Sequence, residues 1–330
     1  MTTNPALAIE THELVKVYGE TRAVDGLDLA VRTGTIHGVL GPNGAGKTTA
    51  IKMLTTLLRP TSGTATVLGH DVVREASAVR RRIGLTGQTM ALDEDMTGLQ
   101  NLILAGRLQG LRHGPARARG EQLLAAFDLT EVGNRLVKTY SGGQRRRIDV
   151  AASMVVTPEL LFLDEPTTGL DPRSRSEVWQ MIRDLVRDGG TVLLTTQYLD
   201  EADHLADELT LIDQGRLVAR GTPPELKASR AEGVLEVQLV DPARRAEAGA
   251  LLAGAIGASV EPDSDSNPSR LSVKIADADR AARALGELAR AGIGVEDFSL
   301  GKPSLDTVFL ALTGHSTLDG TREEEAEVPA

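Results

Sequence analysis

Three stretches of this chain carry residue types whose spacing could do phosphate chemistry. The first is Gly41-Pro42-Asn43-Gly44-Ala45-Gly46-Lys47-Thr48-Thr49, which fits the pattern G-x-x-x-x-G-K-[ST]. Gly41, Gly44 and Gly46 let the backbone turn tightly, so that the loop, with Asn43 and Thr49 on it, becomes a nest of N–H groups at a helix start. Such a nest binds the phosphates of a nucleoside triphosphate. Lys47 adds a mobile positive charge, and the Thr48 hydroxyl is placed for Mg²⁺. The second stretch, Leu160-Leu161-Phe162-Leu163-Asp164-Glu165-Pro166, is an apolar run ending in two acids. Asp164 would hold Mg²⁺ through water, and Glu165 would face an attacking water as base or orienting acceptor. The third, Tyr140-Ser141-Gly142-Gly143-Gln144, offers an N-cap and exposed backbone N–H groups that would suit a γ-phosphate. Each has a bland reading: a glycine-rich turn with a chance lysine, a strand closed by a solvated acidic turn, and a capped helix start.

The flanks decide for the first stretch. Thr35 to Leu40 reads as a short buried strand, and Ile51, Leu54, Leu57 and Leu58 recur at helical spacing, so the loop joins strand to helix. The acidic run reads as a buried parallel strand, and ligands gather at the carboxyl ends of such strands. Thr191 to Thr195 reads as a further strand with Gln197 just past its end, a second strand end pointing at the same place. Residues 8–18 and 27–31 read as strands, with Tyr18-Gly19 and Asp25-Gly26 as punctuation, and Thr64 to Leu68 adds another. Tyr18 could stack on an adenine ring or be a half-buried strand tyrosine. Gln88 stands in a polar loop after Arg80-Arg81-Arg82, where its amide could orient a water or touch Mg²⁺, or be a surface turn residue. Residues 97–136 are mainly helical, broken between Gly110 and Pro115. Asp171, in Gly169-Leu170-Asp171-Pro172, reads as a turn residue before a helix, and Leu209 to Arg220 as a hairpin.

Composition narrows the partners. The 330 residues suffice for two domains, and 41% hydrophobic with only 2% aromatic residues implies cores of Leu, Val, Ile and Ala. A net charge of −10 and a pI near 5.2 argue against a general affinity for nucleic acid. There is no cysteine, which excludes disulfides, thiolate metal sites and thiol catalysis. The six histidines show no i, i+4 pair for a metal. Met1 to Glu10 lacks a secretory pattern, and no run approaches the roughly 18 apolar residues of a membrane span. Action at a membrane would therefore need a partner that crosses it.

With these pieces in one order, the chain resembles the ATP-binding subunits of ABC transporters from about residue 7 to residue 228. The resemblance rests on the Walker A loop (Gly41 to Thr49), the Q-loop Gln88, the signature Ser141-Gly142-Gly143-Gln144, Walker B (Leu160 to Asp164) with Glu165, and the D-loop around Asp171. It implies an α/β P-loop NTPase fold with a β-rich subdomain and a helical subdomain at about 89–158. Two such domains would pair head to tail and trap two ATP molecules. Tyr18 would stack on adenine, while Ser141 and Gly143 would reach the γ-phosphate in trans. Glu165, Gln88 and Gln197 would serve hydrolysis, and Thr48, Gln88 and Asp164 would serve Mg²⁺. Tyr140 stands where the family usually has leucine, a packing change. Gln197 stands where it usually has the switch histidine; an amide can donate to a γ-phosphate oxygen but carries no charge, so slower hydrolysis is expected.

Residues 229–314 read as strand, helix, two strands, helix and strand, the βαββαβ order of a small α+β ferredoxin-like domain, a unit for sensing, dimerisation or docking. Gly301 to Leu310, together with Gln197 to Asp203, is similar to daunorubicin/doxorubicin-resistance type ATP-binding subunits. That implies export of a hydrophobic small molecule through a separate permease, from the cytoplasmic face of the membrane. The second ATP-binding subunit would be an identical copy or a different chain. A non-transport ABC ATPase acting on nucleic acid or ribosomes is the rival, disfavoured by the single phosphate loop and the acidic balance. Residues 315–330, with Glu323-Glu324-Glu325, read as a disordered acidic tail.

Overall fold

A computed structural model of the chain describes residues 7–87, 92–230, 233–256, 260–261, 269–275, 278–301 and 305–313. Gln88 and the segment 315–330 lie outside the described residues. The chain divides between Pro223 and Pro224 into two compact units.

The first unit begins with β1 (Leu7–Tyr18), β2 (Thr21–Leu27) and β3 (Ala30–Arg32). β4 (Ile36–Leu40) enters a second sheet and is followed by α1 (Lys47–Leu54). β5 (Ser62–Val67) and β6 (His70–Asp71) return to the first sheet, whose order is β2-β1-β5-β6 with β3 also on β1. The sequence pattern misplaced one strand here. Asp25-Gly26 is no break: Leu14 pairs with Leu27 and Val15 with Asp25, so Gly26, at φ 71°, is the extra residue of a bulge within β2. A glycine in the left-handed region serves a bulge as readily as a turn.

The middle of the unit is helical: α2 (Ala76–Arg80) and β7 (Ile83–Thr86) lead to α3 (Gly98–Leu108), α4 (His113–Ala126) and α5 (Gly142–Ser153). Pro115 does not end a helix but lies in the first turn of α4, where N–H groups have no intrahelical acceptor and proline loses none. Tyr140 is buried and donates its hydroxyl to Val132 O at 2.8 Å. Its ring fits because residue 98 is glycine: a Cβ there would stand 2.3 Å from the Tyr140 hydroxyl.

β8 (Leu160–Asp164), α6 (Pro172–Arg187), β9 (Thr191–Thr196), α7 (Leu199–Leu205) and the hairpin β10 (Glu208–Asp213) and β11 (Arg216–Gly221) complete the second sheet. Its order is β11-β10-β4-β9-β8-β7, parallel apart from the terminal hairpin. Both faces are covered. Leu160 and Phe162 join Ile51 and Leu54 of α1 in one core, and Leu161 and Leu163 join Ile148, Val178 and Ile182 in the other. Each such side chain contributes about 2 kcal/mol by burial. The same alternation turns Asp164 to the α1 face. Among the described residues no helix is long and apolar enough to cross a membrane.

The second unit carries α8 (Pro223–Arg230), β12 (Gly233–Leu239), α9 (Arg245–Ile256), β13 (Val260–Glu261), β14 (Arg270–Ile275), α10 (Ala278–Arg290), β15 (Val295–Gly301) and α11 (Leu305–Thr313). Its antiparallel sheet runs β13-β14-β12-β15. Leu235, Val237 and Leu239 alternate inward from β12 onto Leu252 of α9 and Leu288 of α10.

Candidate active site

The phosphate loop runs from the end of β4 into α1, and its conformation depends on Gly46. That residue sits at φ 101°, and a Cβ on it would stand 2.3 Å from Ala23 O. With the chain so close, Asn43, Gly44, Gly46, Lys47, Thr48 and Thr49 line one cleft together with Ala23 and Glu165. Lys47 is buried in it; its Nζ donates to Gly41 O at 2.8 Å and Pro42 O at 2.9 Å and meets Glu165 Oε1 at 3.2 Å. Burial pulls the lysine below its ordinary pKa, while Glu165 and Asp164 act in the opposite sense.

The carboxylates arrive from β8. Asp164 Oδ1 accepts from Thr195 Oγ1 at 2.6 Å and from Thr48 Oγ1 at 3.3 Å. Glu165 leaves the strand at φ 49°, a left-handed region that non-glycine residues seldom occupy. Its N–H is held by Thr195 O and Thr195 Oγ1, both at 3.1 Å, and Thr168 Oγ1 donates to its Oε2 at 3.3 Å. Behind this turn the Glu201 carboxyl, fully buried, takes Thr167 Oγ1 at 2.8 Å and Trp179 Nε1 at 3.0 Å; burial pushes its pKa up. The site thus sets a cation, a hydroxyl and two carboxylates around one cleft. That is a donor set able to hold a polyphosphate and orient a water against it.

Gln197 follows β9, is buried, and its Oε1 has no partner among the described residues. Tyr18 ends β1, half exposed, with Lys16 Nζ 5.2 Å from its ring centre. It does not line the cleft. Nor do Ser141, Gly143 and Asp171, which form a second group. Ser141 caps α5 in a capping box with Gln144. Gly143 lies against Ser174, whose N–H and hydroxyl donate to Asp171 at 3.0 and 2.6 Å. Asp171 is therefore an N-cap, with Pro172 in the first position of α6. The sequence reading missed Ala23, Thr195 and Glu201. The rule that strand ends face the ligand could have found Thr195; no local signal points to Ala23.

The ABC transporter family matches residues 24–168. The chain is 58% identical over 327 residues to the daunorubicin/doxorubicin resistance ATP-binding protein DrrA of Streptomyces peucetius, covering 99% of this chain and 98% of that protein. It is 52% identical over 319 residues to the daunorubicin resistance ATP-binding protein DrrA3 of Streptomyces coeruleorubidus, covering 97% of this chain and 98% of that one. Among solved structures, cbiO1 of Clostridium perfringens, part of the cbiONQ transporter complex, superposes with a TM-score of 0.62 at 26% identity over 67% of this chain and 91% of its own. These relatives do not favour the non-transport alternative. By these relatives the chain binds and hydrolyses ATP, and it belongs to the ATP-binding subunits of ABC transporters, in the daunorubicin/doxorubicin-resistance group.

Proposed function

We propose that this chain drives the export of a hydrophobic small molecule, such as an antibiotic, through a separate membrane permease at the cytoplasmic face of the membrane. The observation that carries the proposal is the match to the Streptomyces peucetius resistance protein over 99% of the chain, C-terminal unit included. Two ATP-binding subunits, identical copies in this reading, close head to tail on two ATP molecules. Lys47, the loop amides, Thr48 and Thr49 hold the phosphates of each, and Tyr18 packs on the adenine. Ser141 and Gly143 of the opposite copy complete the γ-phosphate site, with Asp171 alongside. Glu165 orients the attacking water, and Gln197 offers its amide to the γ-phosphate. The Oε1 of Gln197, without a partner among the described residues, can only accept, so it supports a contact to a donor such as the attacking water, while the amide nitrogen is the group for the phosphate.

The donor set fits Mg²⁺: Thr48 and Asp164 present oxygens from adjoining elements, and few protein ligands suffice for an ion that keeps its waters. Bound there, Mg²⁺ would neutralise charge developing on the phosphates. Gln88 is proposed as a further oxygen donor to the ion and as an orienting group for water. The strand order of the second unit supports a ferredoxin-like fold, which we assign to docking or dimerisation.

The test is daunorubicin accumulation in a sensitive host that expresses the chain together with a candidate membrane permease. Efflux that requires both proteins and is lost with Glu165→Gln supports the reading. Equal accumulation with and without the pair refutes export.

A further inference from the structure

A buried cation stands behind the carboxylates of the cleft without touching it. Arg146, on α5 just past the signature, is 8% exposed. Its guanidinium fans out to three backbone carbonyls: Nε to Pro166 O at 2.8 Å, Nη2 to Asp164 O at 3.0 Å and Nη1 to Gly87 O at 2.9 Å. Nη1 also meets Asp149 Oδ2 at 3.3 Å, the longest of the four contacts. Asp164 and Pro166 are the residues on either side of Glu165, and Gly87 immediately precedes Gln88. One rigid planar group therefore grips the chain before and after the residue held at φ 49°.

A plain ion pair with Asp149 would need none of the carbonyl bonds. Charge-assisted bonds to three carbonyls, two buried and one part-buried, on two separate segments, are a larger commitment than that pair. Burial opposes the guanidinium charge, while the carboxylates of Asp149, Asp164, Glu201 and Glu165 favour it. The neighbouring arginines of the triplet bond elsewhere, Arg145 to Tyr140 O and Lys138 O and Arg147 to Phe127 O.

We infer that Arg146 is a positioning residue for hydrolysis. It holds Glu165 in its left-handed turn and ties that turn both to the signature helix and to the residue before Gln88. The inference rests on the reading of Glu165 as the water-orienting carboxylate. Because the grip comes from α5, a displacement of the signature helix is transmitted to the carboxylate through a single side chain.

The experiment uses the full-length chain. Arg146→Lys keeps the charge, but one ammonium cannot reach three carbonyls in two directions. Its kcat for ATP should fall by about tenfold or more, with KM for ATP within about twofold, since a small misplacement of a catalytic group costs rate before binding, and the melting temperature should drop by a few degrees for the carbonyls left unpaired. In a Glu165→Gln background the same change should lower the residual rate by less than about twofold, because its effect runs through Glu165. Arg146→Gln is read on the same quantities should the lysine variant not fold. An unchanged kcat overturns the inference, as does a joint loss of kcat and ATP affinity with a larger fall in melting temperature, which would make Arg146 a core strut. The Glu165→Gln chain separates the two failures. Full hydrolysis in it sinks the reading of Glu165, whereas an inactive Glu165→Gln beside a fully active Arg146→Lys sinks only the role of Arg146.

Discussion

The cleft around Lys47 and the group around Ser141 contain the same kinds of residue in opposite conditions. Lys47 and Asp164 are buried and Glu165 is nearly so; Lys47 bonds Glu165 and loop carbonyls, and Asp164 accepts from the hydroxyls of Thr195 and Thr48. Ser141 and Asp171 are exposed and their polar groups are satisfied locally as helix caps, while Gly143 between them is buried against Ser174. A buried polar cluster must be complete within its own chain, because each unpaired group there costs about 1–3 kcal/mol. An exposed cap can exchange its water for a ligand at small cost. The contrast between a completed cleft and an exposed, locally capped group is the one that the proposed head-to-tail pairing of two copies would use.

Substitutions can break or sharpen that contrast. The largest effect is expected on the buried side: Glu165→Gln should lower steady-state ATP hydrolysis by about 10²- to 10⁴-fold while leaving ATP binding near wild type. A loss of binding in a filter or fluorescence titration would show that the carboxylate serves the fold instead.

The strand beneath the phosphate loop gives the next effect. His37, wholly buried in β4, bonds Thr210 Oγ1 at 2.8 Å, and burial holds its pKa down, from 6.5 to about 4. Glu208 acts to raise that value, and Arg220 and Arg32 to lower it. A depressed pKa means that the unfolded chain binds the proton first. Stability is therefore complete above pH 6.5 and is lost as pH falls from there towards 4, by roughly 3 kcal/mol. Denaturant melts of wild type and His37→Gln across this window should show the flatter profile in the variant; parallel profiles would remove His37 as the cause.

On the open side, Ser141→Ala should cost about 1 kcal/mol of stability through the lost cap. It should weaken ATP-driven pairing of a Glu165→Gln chain by about tenfold, with ATP binding to the single chain intact. Pairing unaltered in sedimentation would erase the distinction between the two half-sites. The smallest effect is expected at Gln197. Gln197→His supplies the charged donor that the family usually has and should raise kcat by a few-fold, about the worth of charge assistance in one hydrogen bond; an equal or lower rate would mean that the glutamine is already the better partner.

Much of this was legible in the sequence because its signals are local. The glycine spacing fixed Gly41 to Thr49, and the unbroken apolar run Leu160 to Leu163 marked a strand with both faces covered. Other features depend on residues distant in sequence. Nothing in Thr21 to Leu27 says that Gly26 bulges rather than turns until Leu14 and Val15 lie opposite. Nothing in Arg145-Arg146-Arg147 singles out the middle residue until the Glu165 turn is folded beneath it. Thr195 reads as a β-branched residue near a strand end that faces the ligand, and the register of β8 with β9, which pairs it with Asp164, makes it a carboxylate clamp.

The close fit of Tyr140 over Gly98 bears on how far parts of this chain can be exchanged with those of its relatives. Grafting a signature segment that begins with leucine would leave unfilled volume above residue 98 and strand the carbonyl of Val132. Installing a larger residue at 98 would evict the phenol. The two positions, more than forty places apart, behave as a single compatibility unit, and any chimera of this helical region should inherit both or neither.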